Sequence, residues 1–218
     1  MEHSGITNNQ KSDLKIKCDL NNIKNDYFLQ KVFNNLSKKE TLEIIKYNKT
    51  IKERLNININ DYKEYCETYS SIEIELIPIK NKYGKFINIK KGDELYYHIY
   101  FNNNKEEIKR YELEENDIVD IINIIIDYKI VSFKSLFFNC GCIETVYFKK
   151  FYRNNIADMS EMFYNCSLLK EINISNCNTI NVINLDGMLC GCSTLKTINL
   201  SNFNTNNVTV MSWMFSGC

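Results

Sequence analysis

Four cysteines recur at a fixed interval, and nothing else in this 218-residue chain restricts its folding as much. Cys140, Cys166, Cys192 and Cys218 stand 26 residues apart, and their flanks repeat with them as SLFFNC, EMFYNC, GMLCGC and WMFSGC. After each of the first three comes an apolar set at offsets three, six and eight. The sets are Ile143, Val146 and Phe148; Leu169, Ile172 and Ile174; and Leu195, Ile198 and Leu200. The stretches SLLKEINISNCNTINVINL and STLKTINLSNFNTNNVTVM agree at more than half of their positions, which chance does not produce. In a tandem repeat of this period each unit buries its apolar side against its neighbours.

The spacing within a unit is that of a leucine-rich-repeat strand, L-x-x-L-x-L, whose period runs about 20–29 residues. Inward Ile198 and Leu200 alternate with outward Thr197, Asn199 and Ser201. The SNCNT and SNFNT segments that follow are rich in side chains that hydrogen-bond local backbone, so they predict turns. Val182, Leu185, Met188 and Leu189, at i, i+3, i+6 and i+7, then predict a short helix, and Val208, Met211, Met214 and Phe215 repeat it. The unit expected is one strand, one turn and one helix. A cysteine at one register in every unit is expected as a buried packing column. A disulfide or metal ladder is the alternative, and His and carboxylate partners at ligand spacing are missing for the latter.

GCSTLKTINLSNFNTNNVTVMSWMFSGC resembles the BspA-type leucine-rich repeat, with Ser201, Asn202, Phe203, Thr205, Val208, Met211, Met214, Phe215 and Cys218 in register. The resemblance runs from about Ile130 to Cys218. The first full unit departs from it, since Lys149-Lys150-Phe151-Tyr152-Arg153 replaces the SNFNT turn. The family is known from bacterial surface proteins that bind host proteins and from expansions in protists. Its repeats carry no enzymatic site, so the resemblance implies protein binding. Because the array stops where a further strand is due, with no polar capping face, it is expected to be a truncated part of a longer one.

Ahead of the repeat, Phe28, Leu29, Val32, Phe33 and Leu36 share one helical stripe, and Ser37-Lys38-Lys39-Glu40 is a capping box. The line YFLQKVFNNLSKKETLEIIKYNKTIKERL resembles an F-box, a helical motif that docks onto the Skp adaptor of cullin ubiquitin ligases. Phe28-Leu29 stands where that family carries Leu-Pro. Period-two alternation through Ile72, Ile74 and Leu76, then Ile87 and Ile89, then Leu95, Tyr97, Ile99 and Phe101 predicts strands. Turns at Tyr83-Gly84 and Lys91-Gly92-Asp93 would join them as hairpins. The fold class expected is α+β with a repeat solenoid. Residues 1–24 form a polar tail, 25–65 a helical F-box-like region and 66–116 a short antiparallel β segment. Residues 117–218 form a connecting segment and the leucine-rich-repeat coils.

Composition narrows the function further. Lys+Arg and Asp+Glu both number 27, so no global positive field exists to draw in nucleic acid, and no partner of that kind is expected. The longest apolar run, Ile118–Ile126, is interrupted by Asp120 and Asn123 and is too short to span a bilayer. No secretory signal precedes it, so a cytoplasmic location with reduced thiols is expected, the cell surface being the alternative that the BspA resemblance implies. The abundant Asn is assigned to A/T-rich codon usage and carries little weight. No catalytic constellation, cofactor motif or metal site is found, and His98 in YYHIY is expected to be a strand side chain.

A protein ligand is therefore expected on the concave strand face. Its candidates are Glu144, Thr145, Tyr147 and Lys149, then Lys170, Glu171, Asn173 and Ser175, then Lys196, Thr197, Asn199 and Ser201. Like residues stack there in columns, as Lys170 does over Lys196 and Asn173 over Asn199. The alternative is an intracellular substrate adapter that holds a Skp-type adaptor through residues 25–65.

Overall fold

The computed structural model describes Leu20 and residues 23–218, so most of the tail expected over 1–24 lies outside the described residues. The chain divides between Ile59 and Asn60 into two compact units. In the first, helix α1 (Asp26–Phe33) starts where the Asn25 side chain accepts the Phe28 N–H. Helix α2 (Lys38–Ile45) opens with the Ser37/Glu40 capping box, and α3 (Lys49–Arg54) is capped by Asn48. Leu29, Phe33, Ile45 and Ile51 form their core, and Arg54 Nε meets Asp26 at 2.6 Å, tying α3 to the start of α1.

The second unit is built on one sheet. Helix α4 (Ile59–Tyr69) leads to β1 (Ile72–Pro78), β2 (Gly84–Lys85), β3 (Tyr97–Phe101), β4 (Glu112–Leu113) and β5 (Ile122–Ile126). The repeat then supplies β6 (Ile143–Lys150), β7 (Glu171–Asn173) and β8 (Thr197–Asn199). The six-stranded sheet has the order β3-β5-β1-β6-β7-β8, and β2 and β4 pair separately. β1 runs antiparallel to both β5 and β6, whereas β6, β7 and β8 are parallel, with Val146, Ile172 and Ile198 side by side.

This overturns the expected fold class. There is no separate antiparallel segment followed by a repeat solenoid. The chain forms a mixed α/β fold with a six-stranded mixed sheet, and the repeat strands are its continuation. The physical cause is β1. Its Ile72, Ile74, Leu76 and Pro78 are buried on one face, and both of its backbone edges need partners. Those partners come from β5 and β6, distant in sequence, so the predicted hairpins at Gly84 and Gly92 do not form. One core runs from Tyr97 and Ile99 through Ile74 and Ile124 to Phe163, Leu189 and Cys192.

Nor do the repeats contain helices. From Leu185 to Cys192, Asp186 apart, the backbone N–H groups divide alternately between two tasks. Those of Met188, Cys190 and Cys192 bond three residues back, to Leu185, Gly187 and Leu189. Those of Leu185, Gly187, Leu189 and Gly191 bond carbonyls 25 residues ahead, on Val210, Ser212, Met214 and Ser216. The same four rungs join Phe133, Ser135, Phe137 and Asn139 to Asp158, Ser160, Met162 and Tyr164. A helix would consume these groups internally and leave none for the neighbouring unit. Two left-handed residues per unit set the path: Ser135 and Asn139, Glu161 and Asn165, Gly187 and Gly191, Trp213 and Gly217. The apolar spacing read as a helix is that of consecutive tight turns.

Asparagine also has a structural role that codon usage does not account for. Asn155, Asn181 and Asn207, one per unit, donate Nδ2 to Tyr128 O, Asn154 O and Ile180 O at 3.3, 2.8 and 2.6 Å. Arg153 explains the departure of the first unit. It stands where later units carry Thr179 and Thr205, is fully buried, and donates Nη1 to Asp127 O and Ile130 O at 2.9 and 3.2 Å. Burial pulls its pKa down to about 10.

Two outcomes are expected. Ile74→Ala, which empties a buried site at the sheet centre, should cost about 2–5 kcal/mol. Hydrogen exchange should then accelerate in both β5 and β7; loss confined to the antiparallel strands would mean that the repeats fold as a separate body. Asn181→Ala should cost about 0.5–1.5 kcal/mol in chemical denaturation, and an unchanged midpoint would deny its amide a structural role.

Candidate binding face

β1, β3 and β5 bury alternate residues, so the opposite set lies on the outward face of the sheet. Strand pairing aligns that set in rows. One row crosses all six strands through Tyr100, Asn123, Glu75, Tyr147, Asn173 and Asn199. A second runs through Ile77, Thr145, Glu171 and Thr197. Two register steps against β1 shape β6: Ile77 and Pro78 face Thr145 and Ile143, while Glu73 and Ile74 face Lys150 and Phe148. Glu144 and Lys149 are thereby the extra residues of β6. This is why Ile143 and Val146, three apart, both point inward.

The charges on this face are largely paired with one another. Lys149 Nζ lies 2.9 Å from Glu75 Oε1, Lys150 Nζ 3.2 Å from Glu73 Oε1, and Lys170 Nζ 2.5 Å from Glu144 Oε1. The Lys149 ammonium also sits 5.3 Å from the centroid of the Tyr147 ring. Partial burial and the hydrogen bond to Glu171 raise the Tyr147 pKa, so its hydroxyl remains a donor at neutral pH. Beside this cluster a hollow of about 480 Å³ is lined by Glu73, Tyr100, Lys105, Asn123, Ile125 and Lys149. Its wall is held by Asn123 Nδ2, which donates to Asn103 Oδ1 at 2.9 Å.

The twelve residues expected on the face fare differently. Tyr147, Lys149 and Glu171 gather in one cluster. Glu144 and Lys170 form an ion pair, so Lys170 and Lys196 are not two equivalent cations in a column. Thr145 is buried. Asn173 and Asn199 end their strands: each Oδ1 accepts the backbone N–H and the hydroxyl of Ser175 or Ser201, the hydroxyl distances both being 2.7 Å. Lys196 and Thr197 are exposed. Sequence reasoning missed the other half of the face, Glu73, Glu75, Tyr100 and Asn123. The alternation over residues 72–76 and 95–101 marks the strands of Glu73, Glu75 and Tyr100, whereas β5 with Asn123 falls in the expected connecting segment, and pattern alone does not say which strands adjoin. His98, a strand residue, lies on the same side with Nδ1 2.9 Å from Glu107 Oε1.

The repeat cysteines serve the fold. The Sγ–H groups of Cys166, Cys192 and Cys218 donate to Phe137 O, Phe163 O and Leu189 O in the preceding unit, at 2.9, 3.1 and 3.1 Å. Burial pushes the Cys192 thiol up to about 12 and Cys142 up to about 11, and raises Cys140, Cys166 and Cys177 likewise. A raised pKa keeps each thiol protonated, which is the form that donates. Among the described residues no group of three or more His, Cys, Asp or Glu is placed to hold a metal ion. Among them, too, no helix is long and apolar enough to cross a membrane.

Residues 131–218 match a family model described as a Mycoplasma protein of unknown function, DUF285, which covers less than half of the chain. No curated protein and no solved structure matches the chain.

Alkylation with iodoacetamide at pH 8 should label the partly or fully exposed Cys66, Cys190 and Cys218 first, as read by peptide mass spectrometry. Cys140, Cys142, Cys166, Cys177 and Cys192 should resist until the protein is denatured. Early labelling of Cys166 or Cys192 would contradict the burial of their thiols.

Proposed function

We propose that this is a non-enzymatic protein-binding module that engages its ligand on the outward face of the six-stranded sheet. The observation that carries this reading is the row of six outward side chains from Tyr100 to Asn199, with Tyr147 at its middle. Tyrosine supplies a large amphipathic contact area at low entropic cost, and charges already paired within the face need little reorganisation when a ligand arrives. The resemblance of the repeat to BspA-type surface proteins supports the same reading and adds adhesion as its setting.

A second reading, an adapter that holds a Skp-type adaptor through residues 25–65, draws support from the first unit. Helix α1 leaves Tyr27, Phe28 and Val32 exposed beside its inward Leu29 and Phe33. Protease shaving of intact cells separates the settings: release of repeat peptides favours adhesion, and protection until lysis favours the adapter.

The face itself is tested with a photo-crosslinking amino acid placed at Thr197 or at Ser193, a comparison site off the face. In cells that express the full chain, a discrete adduct should form from position 197, and Tyr147→Glu should reduce it at least tenfold while leaving the melting temperature close to that of the parent. Equal adducts from both positions, or none from 197, would remove the proposal.

A further inference from the structure

We draw no further inference here: the strongest candidate, the apolar face of the last repeat unit around Leu200, Phe203, Met211 and Phe215, is an unpartnered surface, and nothing in the structure shows what covers it.

Discussion

Strand β6 carries two ladders of opposite sense, and the rest of the second unit depends on them. On one side it pairs antiparallel with β1, and on the other parallel with β7. Antiparallel and parallel ladders space their hydrogen bonds differently, so a strand that joins them must present one pattern on each edge. The two register steps at Glu144 and Lys149 accommodate β1 while keeping Val146 and Phe148 in the core. Through β6 the isoleucine-rich antiparallel strands and the 26-residue units share one apolar interior. The repeat therefore does not begin at a free edge. Its first parallel strand is already held by a strand whose inward residues, Ile72, Ile74 and Leu76, are fully buried.

Across the parallel half, cohesion comes from backbone groups that point along the stack. The alternate division of N–H groups, half to the same turn and half to the next unit, gives four lateral bonds per unit in addition to the strand ladder. The cysteine thiols and the Asn155, Asn181 and Asn207 amides add side-chain rungs at the same period. Left-handed backbone at two positions per unit is the cost of this arrangement. Glycine meets it freely at Gly187 and Gly191, while Ser135, Glu161 and Trp213 adopt it under the constraint of their neighbours.

The outward face follows from the same geometry. The core claims one side of every strand, so the other side is presented in register from β3 to β8. Its central charges are matched on the protein itself, Lys149 with Glu75 and Lys150 with Glu73. A partner at this face would meet a preset mosaic rather than a patch of one sign.

The repeat period, the inward apolar positions, the capping box at Ser37 and the alternation in residues 72–76 were all legible in the sequence, because each rests on contacts between residues near in the chain or on a period that survives translation. Three things were decided only in three dimensions. The turns of the repeat carry the apolar spacing of a helix, since a spacing of three and four residues arises equally from a helix and from tight turns that reserve every second N–H for the adjacent unit. The structural weight of asparagine is not legible in composition, because a composition bias cannot reveal which amides find a carbonyl 27 residues away. The fold class turned on which strand would satisfy the open edges of β1. Local pattern specifies a strand and its buried face but leaves its partner unstated, and the choice of β5 and β6 came from the requirement that both edges and one apolar face be satisfied together.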